Sequence, residues 1–243
     1  MSSIRAKAGA TLEIVRAPLS PGGRRAIKRF APGFLASRAG NSSIPAISWA
    51  QDGEDLELCK LQPEAKFYID VGAHHPFRFS NTCKLYQQGW HGVNIDVSPD
   101  FQALFDKYRP RDINHRGLVG YPKTVDFHHY EEAALSTGDS ARQRHLQETG
   151  HKVLKTEMLK CLPLGETLDA LIAPQTIGLL CVDAEDMDQE ILETHDWNRF
   201  PVEYVLVEIR GTDVQDRISS STALFLKSQG FRSISVFARS VLF

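Results

Sequence analysis

The chain has 243 residues, 42% hydrophobic, 24% charged and 9% aromatic, with 17 glycines and 12 prolines, which excludes collagen-like, low-complexity and wholly disordered classes. No apolar run approaches the roughly 18–20 residues that cross a bilayer, so no membrane span is expected. The 28 Lys and Arg against 30 Asp and Glu leave a net of −2, but residues 1–45 carry eight basic groups and one acid, so the remaining body is strongly acidic and unsuited to a nucleic-acid groove.

Residues 1–45 are rich in Gly, Ser, Ala, Pro and Arg without sustained periodicity, and Pro32 interrupts the helical spacing of Ile27, Phe30 and Phe34. They read as a basic flexible arm. Three roles stay open for it: a disordered leader, weak peripheral contact with an anionic partner or membrane surface, or an organelle presequence.

From Ser48 the pattern becomes regular. Asp52 to Leu61 has helical character, and Phe67 to Val71 is an apolar strand ending at Gly72. Ser80 is placed to cap a helix to Gln88, with Gly89 as its stop. Gly92 to Val97 is a second strand, Pro99 opens a helix through Tyr108, and Ile113 to Val119 is a third, weaker strand. The stretch 121–176 breaks the rhythm and reads as an insert; as a long irregular connection it is expected to form a mobile lid or substrate wall, 138–152 above all. Ile177 to Val182 and Val202 to Ile209 are further apolar strands, with a helix from Met187 to Thr194 between them. Asp186 and Gln189 have capping-box spacing at that helix start. Ser219 to Gln229 is a helix closed by Gly230, and Phe231 to Phe243 reads as two strands joined near Ala238-Arg239.

Apolar strands alternating with helices predict an α/β fold, a doubly wound, mostly parallel sheet over 46–243 with an insert at about 121–176 and a C-terminal antiparallel hairpin. Cys59, Cys83, Cys161 and Cys181 are scattered, without CxxC or zinc-ligand spacing, so reduced thiols and a cytoplasmic setting are expected. Ligands of such sheets bind beyond the carboxyl ends of the strands. There the sequence puts Asp70, Gly72, His74 and His75 after the first strand, and Asp96 after the second. Gly72 permits a sharp turn, and Asp96 suits a pair of ribose hydroxyls. A dinucleotide fingerprint is incomplete, since Gly72-x-His74-x-x-Phe77 keeps one glycine of three, and no P-loop occurs. An adenosyl cofactor fits this pattern better than a nicotinamide one.

Several blocks carry a more specific likeness. Ala50-Gln51-Asp52-Gly53-Glu54-Asp55-Leu56, Tyr68 to Pro76, Ser80-Asn81-Thr82, Gly89 to Asp96, Arg109-Pro110-Arg111-Asp112, Leu135-Ser136-Thr137 and Val182-Asp183-Ala184-Glu185 resemble, in order, the motifs of the FkbM family of S-adenosylmethionine-dependent methyltransferases. The resemblance spans about 48–243 and implies a Rossmann-like class I methyltransferase fold. It departs at Val97-Ser98, where the family has Pro-Asn, and at Asp186, where it has glycine.

The resemblance implies S-adenosyl-L-methionine as cofactor, held by Asp70, Gly72, Ala73, Asp96, Ser98 and Asp112, and O-methylation of a small hydroxylated acceptor such as a sugar, with a glycan as one form. Removing the hydroxyl proton calls for a base. The candidates are Asp183, Glu185, His74, His75 and Glu208: histidine has the better pKa, and Asp183 the better address, since this strand end faces the transferring methyl in similar enzymes. Asp183, Glu185 and Glu208 also offer oxygens to Mg²⁺, though no metal is required by their spacing. The alternatives are a binding or regulatory module that keeps the fold without turnover, motivated by Asp186 and Val97-Ser98, and a nicotinamide oxidoreductase.

Overall fold

A strand covered on both faces must be apolar along its length, and β1 (Phe67–Val71) and β7 (Ile177–Val182) are buried at every residue. The computed structural model describes residues 46–132 and 135–243, and the elements below lie in the unit Ser48–Phe243. The basic arm expected at 1–45 lies outside the described residues. In chain order the remaining elements are α1 (Glu54–Leu58), α2 (Cys83–Gln87), β2 (His91–Asp96), α3 (Phe101–Tyr108), β3 (Ile113–Arg116), β4 (Leu118–Val119), β5 (Lys123–Tyr130) and α4 (Ser140–Glu148). They continue with β6 (Val153–Leu162), α5 (Leu164–Leu171), α6 (Asp188–Glu193), β8 (Val202–Glu208), α7 (Val214–Ile218), α8 (Ser221–Ser228), β9 (Ser235–Val236) and β10 (Ser240–Leu242).

The main sheet has the order β3-β2-β1-β7-β8-β10-β9. β3, β2, β1, β7 and β8 are mutually parallel, and β10 runs antiparallel to both β8 and β9. The expected doubly wound sheet and terminal hairpin are both present. The chain builds outward through β2 and β3, then returns to the opposite side of β1 at β7. The connections leaving β1 and β7 therefore diverge and open a crevice at their carboxyl ends.

Alternation within the strands feeds two apolar layers. Ile69, Val71, Leu180, Val182, Val205 and Val207 share a cluster with Leu164 and Leu168 of α5, Ile191 of α6 and Leu226 of α8. Tyr68, Leu179, Cys181 and Leu206 face the other way, onto Leu58 of α1 and Leu85 of α2. No helix among the described residues is long and apolar enough to cross a membrane.

The structure departs from the sequence reading at several places. The strand expected at 113–119 divides: the Gly117 N–H donates to the Asp96 carbonyl, β3 stays in the main sheet, and β4 leaves to pair with β6. Residues 121–176 are not an irregular connection. β5 and β6 form a long antiparallel pair that makes a second sheet, order β4-β6-β5, and α4 joins them, capped by Asp139 accepting from Arg142 N–H. The last helix of that stretch, α5, packs in the main core and is the crossover into β7. Finally, the helix expected from Ser219 starts at Ser221, where the Ser220 hydroxyl accepts from Ala223 N–H, and the short α7 precedes it.

Candidate active site

The crevice is built on backbone bonds that lock three strand ends together. The N–H groups of Gly72 and Ala73 both donate to the Ile95 carbonyl, and Asp183 N–H donates to the Val71 carbonyl. Gly72 has φ +78°, and a Cβ there would lie 1.7 Å from the Asp183 carbonyl oxygen, so only glycine lets the loops after β1 and β7 touch. His74 follows with φ +53°, and its N–H donates to Asp96 Oδ2 at 2.9 Å. Asp96 Oδ1 accepts from Ser98 N–H and Ser98 Oγ, at 2.7 and 2.5 Å. One carboxylate at the end of β2 thus clamps two loops, and it also lines the cavity between them.

That cavity holds about 330 Å³. Ile95, Val97, Leu118, Val119, Phe127, Met187 and Ile191 give it an apolar wall, and Gln51, His74, Ser98 and Ser136 add neutral polar groups. Its ionisable lining is mostly acidic: Asp96, Glu132, Asp183 and Glu185, against Arg78, which forks onto Glu132. Burial holds the His74 imidazole below its ordinary pKa, so it is neutral at pH 7, and its buried Nε2 has no hydrogen-bond partner among the described residues.

A second cavity of about 340 Å³ adjoins the first, with Gln51, Asp183 and Glu185 lining both. Its other ionisable groups are Glu208 at the end of β8 and four arginines, Arg142, Arg210, Arg217 and Arg239. The carboxyl of Asp183 is raised well above the usual range, by burial first and then by Glu208, Asp188 and Glu185. Burial likewise raises Glu185, against the pull of Arg142 and Arg210. Burial pushes Asp188 up to about 7 although its Oδ1 accepts from Ala184 N–H at 2.9 Å.

Asp186 does not cap α6, contrary to the capping-box spacing; the N-cap position is Met187, without a side-chain bond. Asp186 instead keeps a left-handed backbone, φ +77°, and its carboxylate accepts from Arg210 at 2.9 and 3.0 Å and from Arg142 at 3.4 Å. The backbone that glycine would take is therefore retained, and the added side chain ties down two arginines. Arg142 and Arg210 also both pair with Glu185, and Arg210 reaches Glu208 at 3.3 Å.

Of the residues expected at the site, Gly72, His74, Asp96, Ser98, Asp183 and Glu185 line the first cavity, while Glu208 lines the second. The other four lie outside both linings. His75 Nδ1 accepts from Phe77 and Arg78 N–H groups and so holds its own turn. Ala73 is buried beside Phe101 and Phe105. Asp112 is spent inside the sheet, accepting from Tyr68 Oη at 2.5 Å, Gly92 N–H at 2.9 Å and Asn94 Nδ2 at 2.9 Å. Asp70, within β1, is buried and accepts from Thr82 Oγ1 at 2.5 Å, and desolvation pushes its pKa up to about 6. Asp183, Glu185 and Glu208 share a cavity wall, yet no group of three or more His, Cys, Asp or Glu among the described residues is arranged to hold a metal ion.

Two kinds of residue escaped the sequence reading. Gln51 lines both cavities, and its only signal was its place in the first motif block. Two of the three acids downstream in that block are structural: Asp55 accepts from Ser48 Oγ and Trp49 N–H, and Glu54 from Asp52 N–H and Ser240 Oγ, which fixes the turn carrying Gln51. Arg109 is the second case. Only 1% exposed, it donates to Thr82 Oγ1 at 2.7 Å, to the Pro76 carbonyl at 2.7 Å and to Ser80 Oγ at 2.6 Å, pinning the Pro76–Thr82 part of the loop, which carries Phe79.

A mostly parallel sheet in this strand order, closed by an antiparallel hairpin and opening a cavity at the carboxyl ends of β1, β2 and β7, defines a Rossmann-like methyltransferase fold. The family described as methyltransferase FkbM domain matches residues 70–233. The chain belongs to the FkbM methyltransferase family and is a methyltransferase. A search of curated proteins finds no significant match.

Proposed function

We propose that the chain transfers the methyl group of S-adenosyl-L-methionine to a hydroxyl oxygen of a small acceptor, a sugar or another hydroxylated metabolite. The observation that carries this reading is the first cavity: an apolar slot with Asp96 at the end of β2 and an acidic lining in which Glu132 pairs with Arg78 and Glu185 with Arg142 and Arg210, while Asp96 and Asp183 have no ion pair among the described residues. Such a lining suits a cationic nucleoside and repels a pyrophosphate. Asp96 would accept from the ribose hydroxyls, Leu118, Phe127 and Met187 would cover the purine, and the carboxylates would balance the positive charge. When bound, the cofactor supplies an electrophilic methyl on a sulfonium.

The chain's own groups supply alignment and proton removal. Asp183 stands on the wall shared by both cavities, so it reaches toward cofactor and acceptor alike. Its raised pKa makes it a stronger base than an ordinary carboxylate. Asp183, when ionised, would accept the proton that the acceptor hydroxyl gives up. His74, neutral and with an unpartnered Nε2, and Glu185 orient the acceptor, while Glu208 faces it from the second cavity. The retained left-handed backbone at Asp186 and the Ser98 bonds to Asp96 support an intact site at both departures from the family pattern.

Calorimetric titration with S-adenosylhomocysteine tests the reading. Saturable binding is expected, weakened about tenfold or more in Asp96→Asn, which keeps the shape and removes the charge. No saturable binding to the intact protein would overturn it.

A further inference from the structure

The two cavities differ in the ionisable groups that line them. The first is lined by four carboxylates and Arg78; the second by four arginines and three carboxylates, two of them on the shared wall. Within the second cavity the arginines divide. Arg142 and Arg210 are matched by Glu185, Asp186 and Glu208. Arg217 and Arg239 are not. Arg217 donates to the Phe237 carbonyl and, at 3.4 Å, to the Gly211 carbonyl, its buried Nε has no partner, and no carboxylate pairs with it among the described residues. Arg239 has a distant ion pair with Asp52, 3.8 Å away, and its side chain stays 47% exposed.

Arg217 and Arg239 line one cavity, one held by backbone carbonyls without a carboxylate and one only loosely paired, and guanidinium groups in such a position suit the oxygens of a carboxylate or phosphate. Resting on the methyltransferase reading above, we propose that the methyl acceptor is an anion, a hydroxylated metabolite bearing a carboxylate or phosphate that Arg217 and Arg239 hold while its hydroxyl faces Asp183. The acidic first cavity excludes that anion from the cofactor site, and the arginines draw it into the second. A neutral sugar would leave Arg217 with its backbone carbonyls alone and Arg239 with its loose Asp52 pair. The two ligands thus sort themselves by charge as well as by shape.

The test titrates glucuronate, glucose 6-phosphate and glucose into the protein saturated with S-adenosylhomocysteine, and repeats the series without it. At least one anion is expected to bind tenfold or more tighter than glucose, and the stronger of the two identifies carboxylate or phosphate. Arg239→Gln, at a half-exposed side chain, is expected to weaken that anion about tenfold and leave S-adenosylhomocysteine affinity unchanged. Arg217→Lys, which keeps the positive charge but loses the fork, is expected to weaken it several-fold. Equal binding of glucose and both anions, no binding of any of the three, or unchanged anion affinity in both variants would overturn the proposal. If S-adenosylhomocysteine alone fails to bind, the methyltransferase reading falls, and the series without it still reports on the arginines.

Discussion

Arg109→Met removes a buried cation while keeping most of its volume. Three donated bonds disappear, to Thr82, Pro76 and Ser80, and hydrogen bonds to charged groups are worth about 1.5–3 kcal/mol each. Relief of the cation's own desolvation offsets part of that loss. A net destabilisation of about 3–5 kcal/mol follows, the size seen when one partner of a buried pair is removed. In a chain of this length each kcal/mol lowers Tm by about 2–4 °C. The deficit also depends on pH. Arg109 holds down the Asp70 pKa, which desolvation has already pushed up to about 6. A carboxyl whose folded pKa lies above its unfolded value favours the fold at low pH and loses that contribution as pH rises through the folded value. Without Arg109 the Asp70 pKa climbs further, so the variant's deficit is larger at pH 8 than at pH 5. Urea unfolding followed by tryptophan fluorescence at both pH values measures this. A loss below about 1 kcal/mol, or one equal at both pH values, would refute the role given to Arg109.

Asp188 offers a simpler titration. Its pKa of about 7, set against an unfolded value near 3.9, is worth about 4 kcal/mol, a stabilisation present below pH 4 and lost as pH rises through 7. Asp188→Asn keeps an acceptor for Ala184 N–H and should flatten the fall in stability between pH 4 and 8; identical slopes for the two proteins would contradict it. Gly72→Ala sets a Cβ 1.7 Å from the Asp183 carbonyl at φ +78°, so a loss of about 3 kcal/mol or more is expected in urea unfolding, and wild-type stability would show that the two loops separate freely.

The main sheet was readable because β1, β7 and β8 are covered on both faces and spell out apolar runs, which no other element of this length imitates. The β5–β6 pair was not, because one of its faces is open. Val125, Phe127 and His129 alternate with the outward Thr124, Asp126 and His128, but in β6 the pattern inverts: Glu157 turns inward to meet Arg116 and His129, while Leu154 and Met158 are exposed. A part-buried ion pair and exposed aliphatics erase the period that a sequence reading depends on. At the site, Gly72, Asp96 and Asp183 were legible because strand ends announce themselves. Asp112 looked equivalent, and only packing shows that Tyr68, Gly92 and Asn94 consume its oxygens. The arginines of the second cavity come from α4, α7 and two loops, and no local spacing records their convergence.

The excursion that carries β5, α4 and β6 hangs from a narrow waist. The chain leaves at Val119 and returns at Leu162 as paired neighbours, and Gly120 N–H bonds back to the Leu162 carbonyl. Phe127 and Ser136 from this excursion line the first cavity, and Arg142 lines the second. Because its two ends meet, a change of length within the segment need not displace β1, β2 or β7. Divergence among such enzymes should then concentrate between 120 and 161, giving new acceptors to an inherited cofactor frame.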